Sequence, residues 1–210
     1  MTTEASQRPN LSRPAVMGIA SGIFFMAFFG ALWGLMSAGF MDSVVQPVAF
    51  VVIGLVTLGF LALVVMLVRY ARSLPATTSP EEAAAGKKIG MWFGIVFGLE
   101  ALLIALTSIV LGRMQASQFI PPAIALIVGL HFLPLARLFR VTFYYITGVL
   151  LCVLALVAII ALVRGLSIAG PSPYNWSLVV GIGATLILWL TALVVSWQGL
   201  SVMLADSSQE

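Results

Sequence analysis

A titratable ring inside an apolar run is the feature of this chain that could do chemistry. His131 is its only histidine and stands within Pro121 to Arg137, P-P-A-I-A-L-I-V-G-L-H-F-L-P-L-A-R. Three residues later Pro134 lacks the N–H that a helix would send to the carbonyl of Leu130. An imidazole and a freed carbonyl are then expected side by side in hydrocarbon, where lipid offers neither a partner. Glu100 is the one acidic side chain inside any apolar run, and Thr107 follows it by seven residues, on nearly the same helical face. Glu100, Thr107, His131 and the carbonyl beside Pro134 could line a polar track, the residues a proton or small-solute path would need.

Depth supports pairing the two ionisable groups. Counting from Ile89, Glu100 lies eleven residues into its span, roughly 16 Å at the helical rise. His131 lies ten residues after Pro121 on the next span, roughly 15 Å from the opposite side. Both depths fall near the middle of a hydrocarbon core about 30 Å thick. Burial disfavours either charge, whereas contact favours the ion pair. Two readings stand side by side: a titrating site for transport, and a structural pair that fixes helix register and conducts nothing.

Known enzyme chemistry finds little to work with, and no enzyme is expected. One histidine excludes a two-histidine zinc helix, and neither a phosphate-binding glycine loop nor a G-x-S-x-G turn occurs. Ser167 has no histidine or lysine next to it in sequence and reads as a loop serine. Cys152 is the only cysteine, so an intramolecular disulfide is impossible, and it reads as a small packing residue. A haem on His131 would need just one protein ligand, but nothing else argues for it; no cofactor or metal is expected. Trp33 and Trp189 fall inside spans and read as packing.

Composition says what must position these residues. Of 210 residues 61% are hydrophobic and 8% charged, against roughly a quarter charged in soluble domains. The expectation is an all-α polytopic membrane protein, a single domain over residues 1–210 with six transmembrane helices. The expected spans are 15–39, 47–68, 89–112, 121–136, 142–163 and 176–199. Ser79-Pro80-Glu81-Glu82 forms a capping box, so the third helix should begin before the membrane does. Arg8, Arg13, Arg69, Arg72, Lys87, Lys88, Arg137 and Arg140 fall on one side of this topology, and only Arg113 and Arg164 on the other. The cation excess puts both termini in the cytoplasm and explains the net charge of +3 without nucleic acid.

Small residues suggest how the spans pack. Gly90, Gly94 and Gly98 recur every fourth residue in span three, and Gly18 with Gly22 and Gly30 with Gly34 and Ala38 do so in span one. Such rows let helices approach closely where lipid supplies no hydrophobic drive, which makes spans one and three expected neighbours. The same rows could seat a second copy or another membrane protein. An inverted repeat of spans one to three and four to six is weakly marked; only a broken fourth span would suggest it.

Two segments, Gly129-Leu130-His131-Phe132-Leu133-Pro134-Leu135-Ala136 and Phe93-Gly94-Ile95-Val96-Phe97-Gly98-Leu99-Glu100, resemble a group of small bacterial membrane proteins of unknown function. The resemblance implies a bacterial inner-membrane location and leaves the substrate open. The leading expectation is a permease-like or proton-handling protein using Glu100 and His131. The alternative is a non-transporting scaffold or accessory subunit that binds another membrane protein through its glycine faces.

Overall fold

A computed structural model describes residues 13–74, 80–139, 141–168 and 175–207. Ser79, Arg8 and Arg140 lie outside those residues, so the expected cap and part of the charge count are not addressed. Helices run over Arg13–Ala38 (α1), Gln46–Ser73 (α2), Pro80–Arg113 (α3), Ile120–Phe139 (α4), Phe143–Val163 (α5) and Asn175–Ser207 (α6), with a 3-10 turn at Ser117–Phe119. All six are long and apolar enough to cross a membrane, and among the described residues there is no strand. The protein is therefore an all-α integral membrane protein of six candidate spans.

Each helix is dictated locally. The apolar runs satisfy their backbone internally, as lipid demands, and charges cluster where the helices leave hydrocarbon. Helices overrun the expected spans because polar turns continue them: α3 starts at Pro80 and carries Lys87 and Lys88 before its apolar stretch. Two helices end in the same way. At α5 the N–H of Leu166 reaches Ala161 O at 2.9 Å and that of Gly165 reaches Leu162 O at 3.1 Å, with Gly165 at φ +66°. At α3 Ala116 bonds Leu111 O and Gln115 bonds Gly112 O, and here a non-glycine takes the left-handed turn, Gln115 at φ 57°. Both are Schellman ends that satisfy the last carbonyls.

Helix neighbours follow a chain α2–α1–α6–α5–α4–α3, closed across the middle by contacts of α4 with α6. The core lies among α1, α4, α5 and α6; buried residues such as Ile23, Leu151, Ala155, Val180 and Leu188 come from them, with Phe60 and Leu67 added from α2. The tightest crossing joins α4 and α5. A Cβ on Gly129 would lie 2.9 Å from both Gly148 O and Cys152 N, and one on Gly148 would lie 2.7 Å from Gly129 O. Backbone touches backbone there, and only glycine permits it. Gly30 and Gly34 of α1 also face partners: an added Cβ would meet Trp189 from α6 at Gly30, and Ile53 and Thr185 at Gly34.

Hydroxyls stitch the same core. Thr147 Oγ1 of α5 and Thr191 Oγ1 of α6 lie 2.8 Å apart. Thr185 Oγ1 shares its hydrogen between Gly181 O of its own helix at 2.8 Å and Gly30 O of α1 at 3.1 Å.

The α3 row behaves otherwise. A Cβ on Gly90, Gly94 or Gly98 would meet nothing within 4 Å, so this row faces away from every helix described. The expected pairing of α1 with α3 through glycines is therefore corrected. The two helices meet through rings: Phe25 lies 5.5 Å from Phe93 and 5.9 Å from Phe97, and Phe29 lies 5.8 Å from Phe97. Pairs of phenylalanines four apart on each helix keep the backbones too far apart for glycines to matter.

These contacts separate the two glycine sets experimentally. Gly129→Ala should destabilise the protein by about 1–3 kcal/mol through overpacking. Gly94→Ala should be neutral, or stabilising by up to about 1 kcal/mol through helix propensity. Thermal unfolding in detergent micelles measures both; equal loss in the two variants would contradict the packing described.

Candidate functional site

The face of α3 that meets the bundle is a single stripe. Phe93, Val96, Phe97, Glu100, Ile104, Thr107 with Ser108, and Leu111 with Gly112 are at least partly covered, and the residues between them from 93 to 112 are exposed. That spacing of three and four is the helical period. Glu100 is the one buried residue of α3 among its described side chains. The carboxyl thus occupies the most enclosed point of an otherwise loosely covered helix.

On the other side, α4 is rotated by its glycine crossing. Gly129 faces α5, and His131, two residues on, points roughly 200° away around the helix, towards α3. His131 Nδ1 lies 3.1 Å from Glu100 Oε1. The same nitrogen lies 3.0 Å from Val128 O. Side-chain exposure is 13% for His131 and 8% for Glu100, so the carboxyl takes its partner from His131, while the imidazole also holds the Val128 carbonyl.

The carbonyl settles which atom carries hydrogen. Val128 O can only accept, so Nδ1 must donate, and its hydrogen is shared between that carbonyl and the carboxyl oxygen. Nε2 meets no hydrogen-bond partner among the described residues. With Glu100 ionised, the pair carries net charge −1 when Nε2 is bare and 0 when Nε2 is protonated.

Rings screen this site on the side of the chain ends. The Phe132 ring centroid is 5.0 Å from that of His131, Phe132 stands edge-on to Tyr144 at 5.7 Å, and Phe139 lies 5.9 Å from Phe93. Composition hid this group, although Phe93 with Phe97 and Phe25 with Phe29 carry a visible signal in their spacing of four.

Two expected members stand elsewhere. Helix α4 runs unbroken from Ile120 to Phe139 with Pro134 inside it, on an exposed side. A proline ring turned outward displaces no neighbour, and membrane helices tolerate the missing bond. The histidine turns back to Val128 instead of using the Leu130 carbonyl, so the fourth span is not broken. Thr107 lines a separate cleft of about 450 Å³ with Leu106, Val110, Phe119, Ala123 and Ile159. That cleft includes neither Glu100 nor His131. Among the described residues no group of three or more His, Cys, Asp or Glu could hold a metal ion.

A double-mutant cycle measures the pair. Glu100→Ala and His131→Ala should each destabilise the protein, and the double variant should lose less than their sum by about 1 kcal/mol or more. Unfolding free energies in micelles provide the three values; strict additivity would mean that the contact carries no energy.

Comparison with protein families, curated proteins and solved structures finds no match to this chain; what the pair can do follows from its own geometry.

Proposed function

We propose that this is a small permease-like, proton-handling protein of the bacterial cytoplasmic membrane, with Glu100 and His131 as its proton-binding site. One observation carries the reading: a carboxyl and an imidazole 3.1 Å apart on two consecutive candidate spans, with the second ring nitrogen unpartnered among the described residues. Ionisable groups so placed are costly in hydrocarbon and mark ion pathways more often than not.

The chemistry is simple. A proton arriving at Nε2 converts a pair of net charge −1 into a neutral ion pair, which hydrocarbon tolerates far better than an unbalanced charge. The neutral pair draws α3 onto α4. Loss of the proton leaves a net negative charge at the most enclosed point of α3 and weakens that seat. Proton occupancy and the position of α3 are thereby linked, since a proton that binds one arrangement better shifts the balance towards it. The sparse cover on α3, of whose most apolar stretch 6% is buried, favours such movement. The eight-to-two distribution of cations supports a cytoplasmic position for both termini.

The second reading, a non-transporting scaffold, draws on a different observation: the α3 glycine row is open, and the clefts beside Thr107 and beside Ser21 do not reach the pair. Reconstitution separates the two. Wild-type protein in liposomes with an imposed pH gradient should acidify or alkalinise the lumen faster than protein-free vesicles. Glu100→Gln and His131→Ala should return the rate to that of empty vesicles. Equal flux in wild type and both variants would remove transport and leave the scaffold.

A further inference from the structure

The cleft beside Thr107 is walled by α3 and α5, with the start of α4 between them. Its lining is apolar apart from one hydroxyl, and it opens where Leu106 and Val110 are each about half exposed. Both walls end in the same kind of helix stop, and each stop carries an arginine. Arg113 follows Val110 by three residues, about 4.5 Å along α3. Arg164 follows Ile159 by five, about 7.5 Å along α5. Helices α3 and α5 run in the same direction through the bundle, so both arginines rise past the same end of the cleft. Both are exposed, and both are long enough to reach a headgroup while their stems stay in hydrocarbon.

These two are the only cations in the sequence on the membrane side opposite the chain ends. The sole acid on that side is Asp42, in the connection between α1 and α2, and neither of those helices lines the cleft. An apolar slot open to the bilayer, topped by two unopposed cations at headgroup level, matches one kind of molecule. We infer that the cleft is a binding site for a phospholipid with an anionic headgroup, its acyl chain between α3 and α5 and its phosphate between Arg113 and Arg164. The paired cations and the slot are complementary to opposite ends of that lipid. The site is independent of Glu100 and His131, which do not line it.

The probe is a vesicle of equimolar phosphatidylglycerol and phosphatidylcholine, from which the full chain is released for native mass spectrometry. Wild type should retain phosphatidylglycerol over phosphatidylcholine. Arg113→Gln with Arg164→Gln should reduce that preference by about thirtyfold, taking about 1 kcal/mol for each cation near an anionic headgroup. Ala123→Phe, which fills the slot, should lower retention of both lipids although the arginines remain. Val110→Trp, at the exposed rim, should do the same and keeps the test open if the deeper substitution fails to fold. Arg69→Gln with Arg72→Gln, at the other side of the membrane, should change nothing. Equal retention of the two lipids by wild type, or a preference that survives both loss of the arginines and filling of the slot, would overturn the assignment.

Discussion

Helix α4 cannot turn. Its backbone rests on that of α5 at Gly129 and Gly148, so closely that a methyl on either glycine would collide with a peptide group. Van der Waals contact of this kind is the main adhesive available to helices in lipid, since burying a leucine against another leucine gains little over leaving it among acyl chains. Once Gly129 is committed to α5, the half-turn geometry of the helix sends His131 to the far side. The imidazole meets Glu100 because a glycine two residues earlier has somewhere else to be. Packing in the core thus positions the polar site at its edge.

The rest of the bundle is held by combinations of the same two devices. On α1, Gly30 receives the indole of Trp189 and offers its carbonyl to Thr185. Between α5 and α6, Thr147 and Thr191 donate back to Phe143 O and Ile187 O of their own helices, and one of the two shares its hydrogen with the other hydroxyl, 2.8 Å away. Each of these hydroxyls bonds the preceding turn of its own helix, and the contact to the neighbouring helix is made by sharing a hydrogen or accepting one. The outcome is a core of α1, α4, α5 and α6 with dense backbone approach, flanked by α2 and α3. Of those two, α3 makes the fewer enclosed contacts, and its innermost contact is a carboxylate.

Much of this was legible in the sequence. Six apolar stretches bounded by Arg, Lys, Pro and Gly yielded all six helices, because length and hydropathy determine spans almost independently of packing. The meeting of Glu100 with His131 was legible too, because depth along a helix can be counted from its entry point. Rotation about the helix axis could not be counted that way. A row such as Gly90, Gly94 and Gly98 says that a close approach is allowed, not that a partner uses it. The crossing at Gly129 and Gly148 is made by single glycines on different helices, with no row to announce it. Pro134 was misleading for a related reason: its effect depends on which way the ring points, and here it points outward. Thr107 shares a face with Glu100, yet two turns along the helix α3 borders a cleft instead of α4's imidazole.

Register is where the pair matters whatever else the protein does. The remaining covered residues of α3, among its described side chains, are Phe, Val, Ile, Leu, Thr, Ser and Gly, and for the apolar ones lipid is nearly as good a neighbour as protein. Such a stripe would let α3 slide along α4 at little cost. A shift of one turn, about 5.4 Å, would take Glu100 out of reach of Nδ1 and leave the carboxyl in hydrocarbon without that partner, a larger penalty than any lost ring contact. The pair therefore acts as a pin with one allowed position, and its strength is set by charge, not shape. The same 3.1 Å contact that fills the most enclosed point of α3 is thus also the contact that fixes its register.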